Sequence, residues 1–397
     1  MEIVWERAAE MLVYVRPYLR YLLVPAGVYA VSRLLPVFVP GPQHQSKLVC
    51  LLSARLTCFV IYELVTLTDA FMQGFGRTME IVWERAAEML VYVRPYLRYL
   101  LVPAGVYAVS RLLPVFVPGP QHQSKLVVRD RTVLITGASS GLGRELAIKF
   151  YREGAKLILT ARSIDKLKDL CEQLKGMRDV ENKNEPVYKY LDICDPNGFD
   201  EIVALSPSRR IDVLVNNAGL SMRGSCKDTP IKVHKQLMEV NYFGHVAVTK
   251  ALLDYIPDDG AILVTSSVQG RIAVPYRSAY SASKHAAQAF FDCLRCENRP
   301  KLQILVVSAG YMNTGFGRHA LNTQGEPMNK DDENQAKGMN PVVAAERIYT
   351  ALVNRQTELV LAPLHHRFAI FIRWLSPTLF FWLNYRRGLK DAHAKHD

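Results

Sequence analysis

The stretch Val133-Leu134-Ile135-Thr136-Gly137-Ala138-Ser139-Ser140-Gly141-Leu142-Gly143 constrains this chain more than any other. An apolar run enters a turn with three glycines and leaves it as a helix-like segment. Gly137, Gly141 and Gly143 let the backbone turn tightly and approach a pyrophosphate at the amino end of that helix. Thr136, Ser139, Ser140 and Leu142 share the turn and are candidates for the same contact. From Arg131 onward, strand-like and helix-like segments alternate, which implies a parallel sheet with helices on both faces. The pattern predicts strands near Val133–Thr136, Leu157–Thr160, Val187–Leu191, Val213–Asn216, Ile262–Thr265, Ile304–Val307 and Leu359–Leu361. Several are apolar throughout, as strands covered on both faces are. The expected fold is α/β: one Rossmann-type, doubly wound domain with a parallel seven-stranded sheet.

The chemistry centres on Tyr280-Ser281-Ala282-Ser283-Lys284. On a helix, four residues is about one turn, so the phenol and the ammonium share a face. A free tyrosine, with a pKa of about 10, is a poor acid or base at neutral pH. A nearby cation favours the phenolate and brings it toward the working range. With 19 tyrosines in the chain, this spacing alone is weak evidence. Its surroundings add weight. Ser267 follows the predicted strand Ala261–Thr265, thirteen residues before Tyr280. Asn216-Asn217-Ala218-Gly219 and Val240-Asn241-Tyr242-Phe243-Gly244 lie in between. Ser266 competes with Ser267, and spacing to Tyr280 selects Ser267.

In order and spacing these pieces resemble the short-chain dehydrogenase/reductase family from roughly Arg131 to Pro363, and Gly-x-x-x-Gly-x-Gly is that family's form of the turn. The resemblance implies a ketone–alcohol interconversion with a nicotinamide cofactor. It assigns proton transfer to Tyr280 and lowering of its pKa to Lys284, which also bonds the nicotinamide ribose. Ser267 would hold the substrate oxygen, and Asn241 would anchor a water relay to the lysine. Asp192 with Ile193 would hold the adenine. Asn216, Asn217, Ala218 and Gly219 would line the cofactor floor, with Gly310 and Thr314 at the carboxamide. Where the family usually has Pro-Gly, this chain has Ala309-Gly310, which questions the rigidity of that corner.

At the end of the second strand, an acidic residue would bind both ribose hydroxyls of NAD. Ala161 stands there and Arg162 follows, suited to the 2′-phosphate of NADP. The glycine turn has Ser140 where NADP-preferring relatives often carry a basic residue. NADP is the expected cofactor, and NAD the lesser alternative. The runner-up function is an NADPH-binding scaffold or redox sensor without turnover.

The chain is basic, with 49 Lys+Arg against 37 Asp+Glu. No arginine-rich run points to nucleic acid, so the charge reads as membrane flank and phosphate binding. Seven irregularly spaced cysteines argue against a disulfide framework and for a reducing compartment. Cys293-x-x-Cys296 lacks a second pair or a His cluster, so no metal is expected.

Residues 1–49 reappear unchanged as 79–127, joined by a bridge at 50–78. A perfect copy beginning at a methionine reads as a recent duplication or a gene-model error, since structural repeats normally diverge, with a functional tandem anchor as the alternative. In the second copy, Tyr99 to Val117 is almost continuously apolar and long enough to span a bilayer. Pro103, Arg111 and Pro114 count against spanning. The segment 79–127 is read as a membrane anchor, with a soluble packing helix as the alternative. The catalytic domain is assigned to 128–363, and Gly315 to Asn340 within it to a lid. The apolar tail 364–397 carries Phe368, Phe371, Ile372 and Leu375 at helical spacing. It is read as an interfacial helix or a substrate-channel wall, with a homodimer contact as the alternative. Anchor and tail together resemble the membrane-associated dehydrogenase/reductase member seven group, relatives of the hydroxysteroid dehydrogenases. That implies an apolar substrate of steroid, retinoid or fatty-chain type, at the endoplasmic reticulum or peroxisomal membrane. The ending Ala394-Lys395-His396-Asp397 matches neither the peroxisomal nor the luminal retention signal.

Overall fold

The computed structural model describes residues 104–109, 112, 117 and 119–393, excepting 178–179, 196, 298 and 331–332. The first copy, the bridge and most of the expected anchor therefore lie outside the described residues. The chain divides into two units, Met1–Arg111 and Leu112–Asp397. Of the first, residues 104–109 are helical and exposed. Among the described residues, no helix is long and apolar enough to cross a membrane.

The second unit alternates strand and helix. In order come β1 (Thr132–Thr136), α1 (Gly141–Arg152), β2 (Lys156–Ala161), α2 (Ile164–Lys175), β3 (Val187–Tyr190), α3 (Phe199–Ala204) and β4 (Val213–Asn216). Then α4 (Ile231–Met238) passes through a π-helical turn, Glu239–Phe243, into α5 (Gly244–Leu252). There follow β5 (Ala261–Ser267), α6 (Ser278–Leu294), β6 (Gln303–Ala309), α7 (Glu333–Ala336), α8 (Pro341–Val353), β7 (Glu358–Leu361), α9 (Leu364–Leu375) and α10 (Pro377–His393).

The seven strands form one sheet in the order β3-β2-β1-β4-β5-β6-β7, every pairing parallel. Successive side chains of a strand face opposite ways, and the sequence supplies apolar residues for both. Val133 and Ile135 pack with Leu146 and Phe150 of α1, Leu167 of α2 and Ile348 of α8. Leu134, between them, faces Ile202 of α3, Val248 of α5 and Phe291 of α6. Fully burying one such side chain stabilises by about 1.5–3 kcal/mol. The strand order reverses between β1 and β4, which leaves a crevice at their carboxyl ends, where ligands of such sheets bind.

Candidate active site

A cavity of about 420 Å³ occupies that crevice. Its cofactor half is shaped by backbone conformations that need glycine. Gly137 and Gly141 have φ of +66° and +56°, in the left-handed region that costs a Cβ-bearing residue energy. A Cβ on Gly137 would sit 2.8 Å from Ala218 Cα. A Cβ on Gly143 would collide with Gly137 O and Asn217 Nδ2. Gly137, Ser139, Ser140, Gly141 and Leu142 line the cavity at the start of α1.

Three of the expected contact residues stand behind this surface, among them Asn216, which is buried with its Nδ2 donating to Thr249 Oγ1. Gly143 packs against the turn. Thr136 is fully buried: its Oγ1 donates to Val215 O and accepts from the N–H groups of Asn217 and Ala218. Losing one such buried partner costs about 1–3 kcal/mol. Asn217 completes the tie, with Nδ2 donating to Thr136 O and Gly137 O and Oδ1 accepting from Thr265 Oγ1. Thr136 and Gly143 thus shape the cradle from beneath, and the cavity wall runs through Asn217, Ala218 and Gly219.

Beyond β2 the wall consists of Ala161, Arg162, Ser163 and Lys166, then Asp192 and Ile193. Lys166 escaped the sequence reading. Its signal was the four-residue step from Arg162 across the start of α2, which brings two cations to one place. Asp192 Oδ1 accepts from Cys194 N–H, which fixes its loop.

At the reacting end, Ser267 ends β5, and Tyr280 and Lys284 lie one turn apart on α6. Ser267 Oγ accepts from Gln269 N–H at 3.1 Å and donates to Ala309 O at 3.3 Å. Tyr280 bonds the Ser267 side chain. Asn241 sits in the π turn, a feature found often at functional sites. Its Nδ2 donates to Leu220 O and Ser283 Oγ, and its Oδ1 accepts from Leu220 N–H. A Cβ on Gly219 would lie 3.3 Å from Asn241 Oδ1 and 3.6 Å from Lys284 Nζ, so both groups converge there.

One expectation is corrected. Lys284 was to bring the Tyr280 phenol down, yet Tyr280 is raised. Burial is the largest cause, and the Ser267 bond and the charges of Arg277 and Arg223 offset it only in part. The Lys284 ammonium turns instead to Thr265 O, at 3.0 Å, and burial lowers its own pKa to about 8. The arrangement favours a neutral phenol, a proton donor held against a hydroxyl.

The corner after β6 is firm without proline. Ala309 pairs with Ser267 on one side and Leu361 on the other, and Gly310 N–H donates to Leu361 O at 2.8 Å. Gly310 and Thr314 line the cavity. The expected lid is tied down as well: Leu321 exchanges backbone bonds with Ser221 and Arg223 and packs with Met222 and Tyr280. Its Phe316, His319 and Gln335 form cavity wall.

His245 was also missed. It is buried on α5, and its Nε2 donates to Ala218 O at 2.6 Å. Burial, then Lys284, lowers its pKa to about 3, so the ring is a neutral brace for the Ala218–Gly219 backbone. Its neighbours Val246 and Ala247 give no sequence signal that sets it apart from a core position. The substrate end holds further unanticipated residues, Arg223, Arg277, Tyr311, His366 and Arg387.

A family model described as short chain dehydrogenase matches residues 131–325. Dehydrogenase/reductase SDR family member 7B of Xenopus laevis is 41% identical over 304 residues, covering 75% of this chain and 92% of that protein. The chain belongs to the short-chain dehydrogenase/reductase family. Among solved structures, the alcohol dehydrogenase of the archaeon Thermococcus sibiricus complexed with 5-hydroxy-NADP is 29% identical. It covers 60% of this chain and 98% of its own, with a TM-score of 0.51. A short-chain dehydrogenase/reductase from Burkholderia phymatum in complex with NAD, 18% identical with a TM-score of 0.55, shares the fold over 64% of this chain and 96% of its own. The chain is thus an oxidoreductase acting on CH–OH and C=O groups, with a fold that binds NAD(P).

Proposed function

We propose that this chain transfers a hydride between NADP(H) and the carbonyl or secondary alcohol of an apolar, lipid-like substrate of steroid, retinoid or fatty-chain type. The observation that carries the cofactor choice is Arg162 with Lys166 on the wall beyond β2, where Ala161 leaves no carboxylate. A 2′-phosphate gains charge-assisted bonds there and meets no repulsion.

In this reading the bound cofactor supplies or takes the hydride. Tyr280 gives the proton to the substrate oxygen in reduction and removes it in oxidation. Ser267, held by Gln269 N–H, positions that oxygen. Lys284 would hold the nicotinamide ribose, and Asn241 would order the proton path behind it. Turnover is tested by screening the full-length protein with NADPH against fatty-chain, steroid and retinoid carbonyls. Loss of nicotinamide absorbance with one class is expected. Silence across all three with intact NADPH binding would sink the assignment. Arg162→Asp is expected to weaken NADP binding about tenfold or more, since one charge-assisted bond contributes about 1.5–3 kcal/mol, and to favour NAD. Unchanged NADP affinity would give the 2′-phosphate to another residue.

The same proposal attaches the enzyme to the endoplasmic reticulum or peroxisomal membrane, with its catalytic domain in a reducing compartment. A homodimer contact is the other use for the tail. What favours the membrane is the surface of α9 and α10. Trp374 is 80% exposed, Phe368, Phe371, Trp382 and Tyr385 are exposed too, and Arg373 and Arg386 stack over Phe381 and Trp382. Aromatic rings with basic neighbours suit the headgroup level of a bilayer. Alkaline carbonate is expected to leave the full-length protein in the membrane pellet, and removal of residues before Arg129 to leave only salt-sensitive attachment. Full-length protein recovered in the soluble fraction without detergent would overturn the anchor.

A further inference from the structure

One short turn at the reacting end carries side-chain chemistry that the hydride and proton steps leave unused. Ser267 ends β5, and Val268–Gly270 forms a 3-10 turn directly after it. Val268 and Gly270 are buried, and a Cβ on Gly270 would lie 2.8 Å from Ser266 Oγ and 3.1 Å from Lys284 O. Val268 packs with Ile272, Ile372 of α9 and Phe380 of α10. The turn is thus held between α6 and the two last helices. Gln269, the residue between the two buried ones, is only partly buried and lines the cavity.

Gln269 is fastened at both ends. Its backbone N–H donates to Ser267 Oγ at 3.1 Å. Its side-chain Oε1 accepts from Ser281 Oγ, also at 3.1 Å, and Ser281 is buried on α6 next to Tyr280. A carboxamide carries one acceptor oxygen and two N–H donors. With Oε1 occupied, Nε2 is the open end. Among the described residues it has no partner, and it is not sealed from solvent. The steps assigned to Ser267, Tyr280 and Lys284 make no use of these two donors.

We propose that Gln269 is a specificity-determining residue, its Nε2 donating to a second oxygen of the substrate on the carbon next to the reacting carbonyl. The proposal rests on reading the site as that of a lipid-like carbonyl or alcohol. It narrows that substrate to one oxygenated beside the reacting carbon, as a hydroxyl, an ether or an ester. The place of the second oxygen follows from the two fastenings. Ser267 and Tyr280 address the carbonyl oxygen, and a side chain tied to the first and to the neighbour of the second meets the atoms flanking that carbonyl. A site built to bond an oxygen disfavours the analogue without it, because its donor is left unpaired. Gln269 holds Ser267 through its backbone N–H, so replacing the side chain leaves that hold in place.

The test compares hexyl methoxymethyl ketone with hexyl propyl ketone, which has a methylene in place of the ether oxygen. Each is titrated calorimetrically into full-length protein saturated with NADP+, which has no hydride to give a ketone. The methoxy ketone is expected to bind about two- to twelvefold more tightly, the contribution of one neutral hydrogen bond. Gln269→Leu and Gln269→Glu are each expected to bring that ratio to about one. Glutamate keeps the length and an acceptor for Ser281 and removes the donor, so it separates donation from bulk. Ser281→Ala frees the carboxamide to turn and is expected to lower the ratio in part. Equal binding of the two ketones to the wild type would overturn the proposal alone. So would a ratio that survives both Gln269 variants while the two ketones weaken together, the mark of a purely structural residue. Binding of neither ketone would sink the lipid-carbonyl reading, and the proposal with it. NADP+ is titrated first and NAD+ replaces it should it not bind, so an error in the cofactor assignment shows separately.

Discussion

Tyr280→Phe is expected to lower turnover by about 10²–10⁴-fold, the usual contribution of a positioned proton donor, while leaving NADPH affinity close to that of the wild type. The separation follows from geometry. The ring is 7% exposed and packs with Met222, Ala279 and Leu321, and phenylalanine preserves that packing. The hydroxyl is what reaches Ser267, and it is what the substitution removes. Turnover and NADPH affinity are measured on the same preparation. Near-normal turnover would remove Tyr280 from the proton path, and a parallel collapse of NADPH binding would make it a structural residue.

Gly143→Val is expected to do the most damage to cofactor binding from a position that does not line the cavity. Its side chain would drive into Gly137 O and Asn217 Nδ2. Gly137 cannot retreat, because Ala218 lies behind it. Overpacking of this kind costs about 1–3 kcal/mol. Were the whole cost borne by the loop, NADPH affinity would fall about 5- to 150-fold. Thermal unfolding and NADPH titration together check it. Unchanged affinity would mean that the turn can open without distorting the cradle.

The central strands were legible because both faces of the sheet are covered there, which writes them as nearly unbroken apolar runs. Val133–Thr136 and Ile262–Thr265 fall inside the observed β1 and β5, whose ends extend by one or two residues. The pieces of the cofactor cradle were legible too, because left-handed backbone and close approach leave glycine as the fitting residue. Thr136 and Gly143 show the limit of that inference. A pattern says that a position is constrained, and only packing says whether it faces the ligand or supports what does.

The direction of the Tyr280 shift was illegible for a related reason. Helical spacing gives Lys284 the right face, but the competing acceptor, Thr265 O, arrives from β5, far away in sequence. Arg223, Arg277 and Arg387 come from three separate segments, and only the fold brings them to one cavity wall. His245 carries no motif signal, because it is a core residue. Its use lies in the single carbonyl it holds.

The π turn at Glu239–Phe243 sets a limit on how this protein can change. Before it, Val233 and Leu237 pack in the cluster around Tyr280. After it, Val248 and Leu252 pack against the sheet. A π turn holds about one residue more than an α turn, and each residue advances a helix by about 100°. Deleting Val240 would let the whole of 231–252 wind as one regular helix with a better hydrogen-bond ladder. It would also swing one half out of phase, carrying Asn241 off Leu220 and Ser283 or lifting the Val248–Leu252 stripe from the sheet. Local regularity and the site are mutually exclusive over these residues. A one-residue deletion, harmless in many surface loops, would here be more damaging than most substitutions.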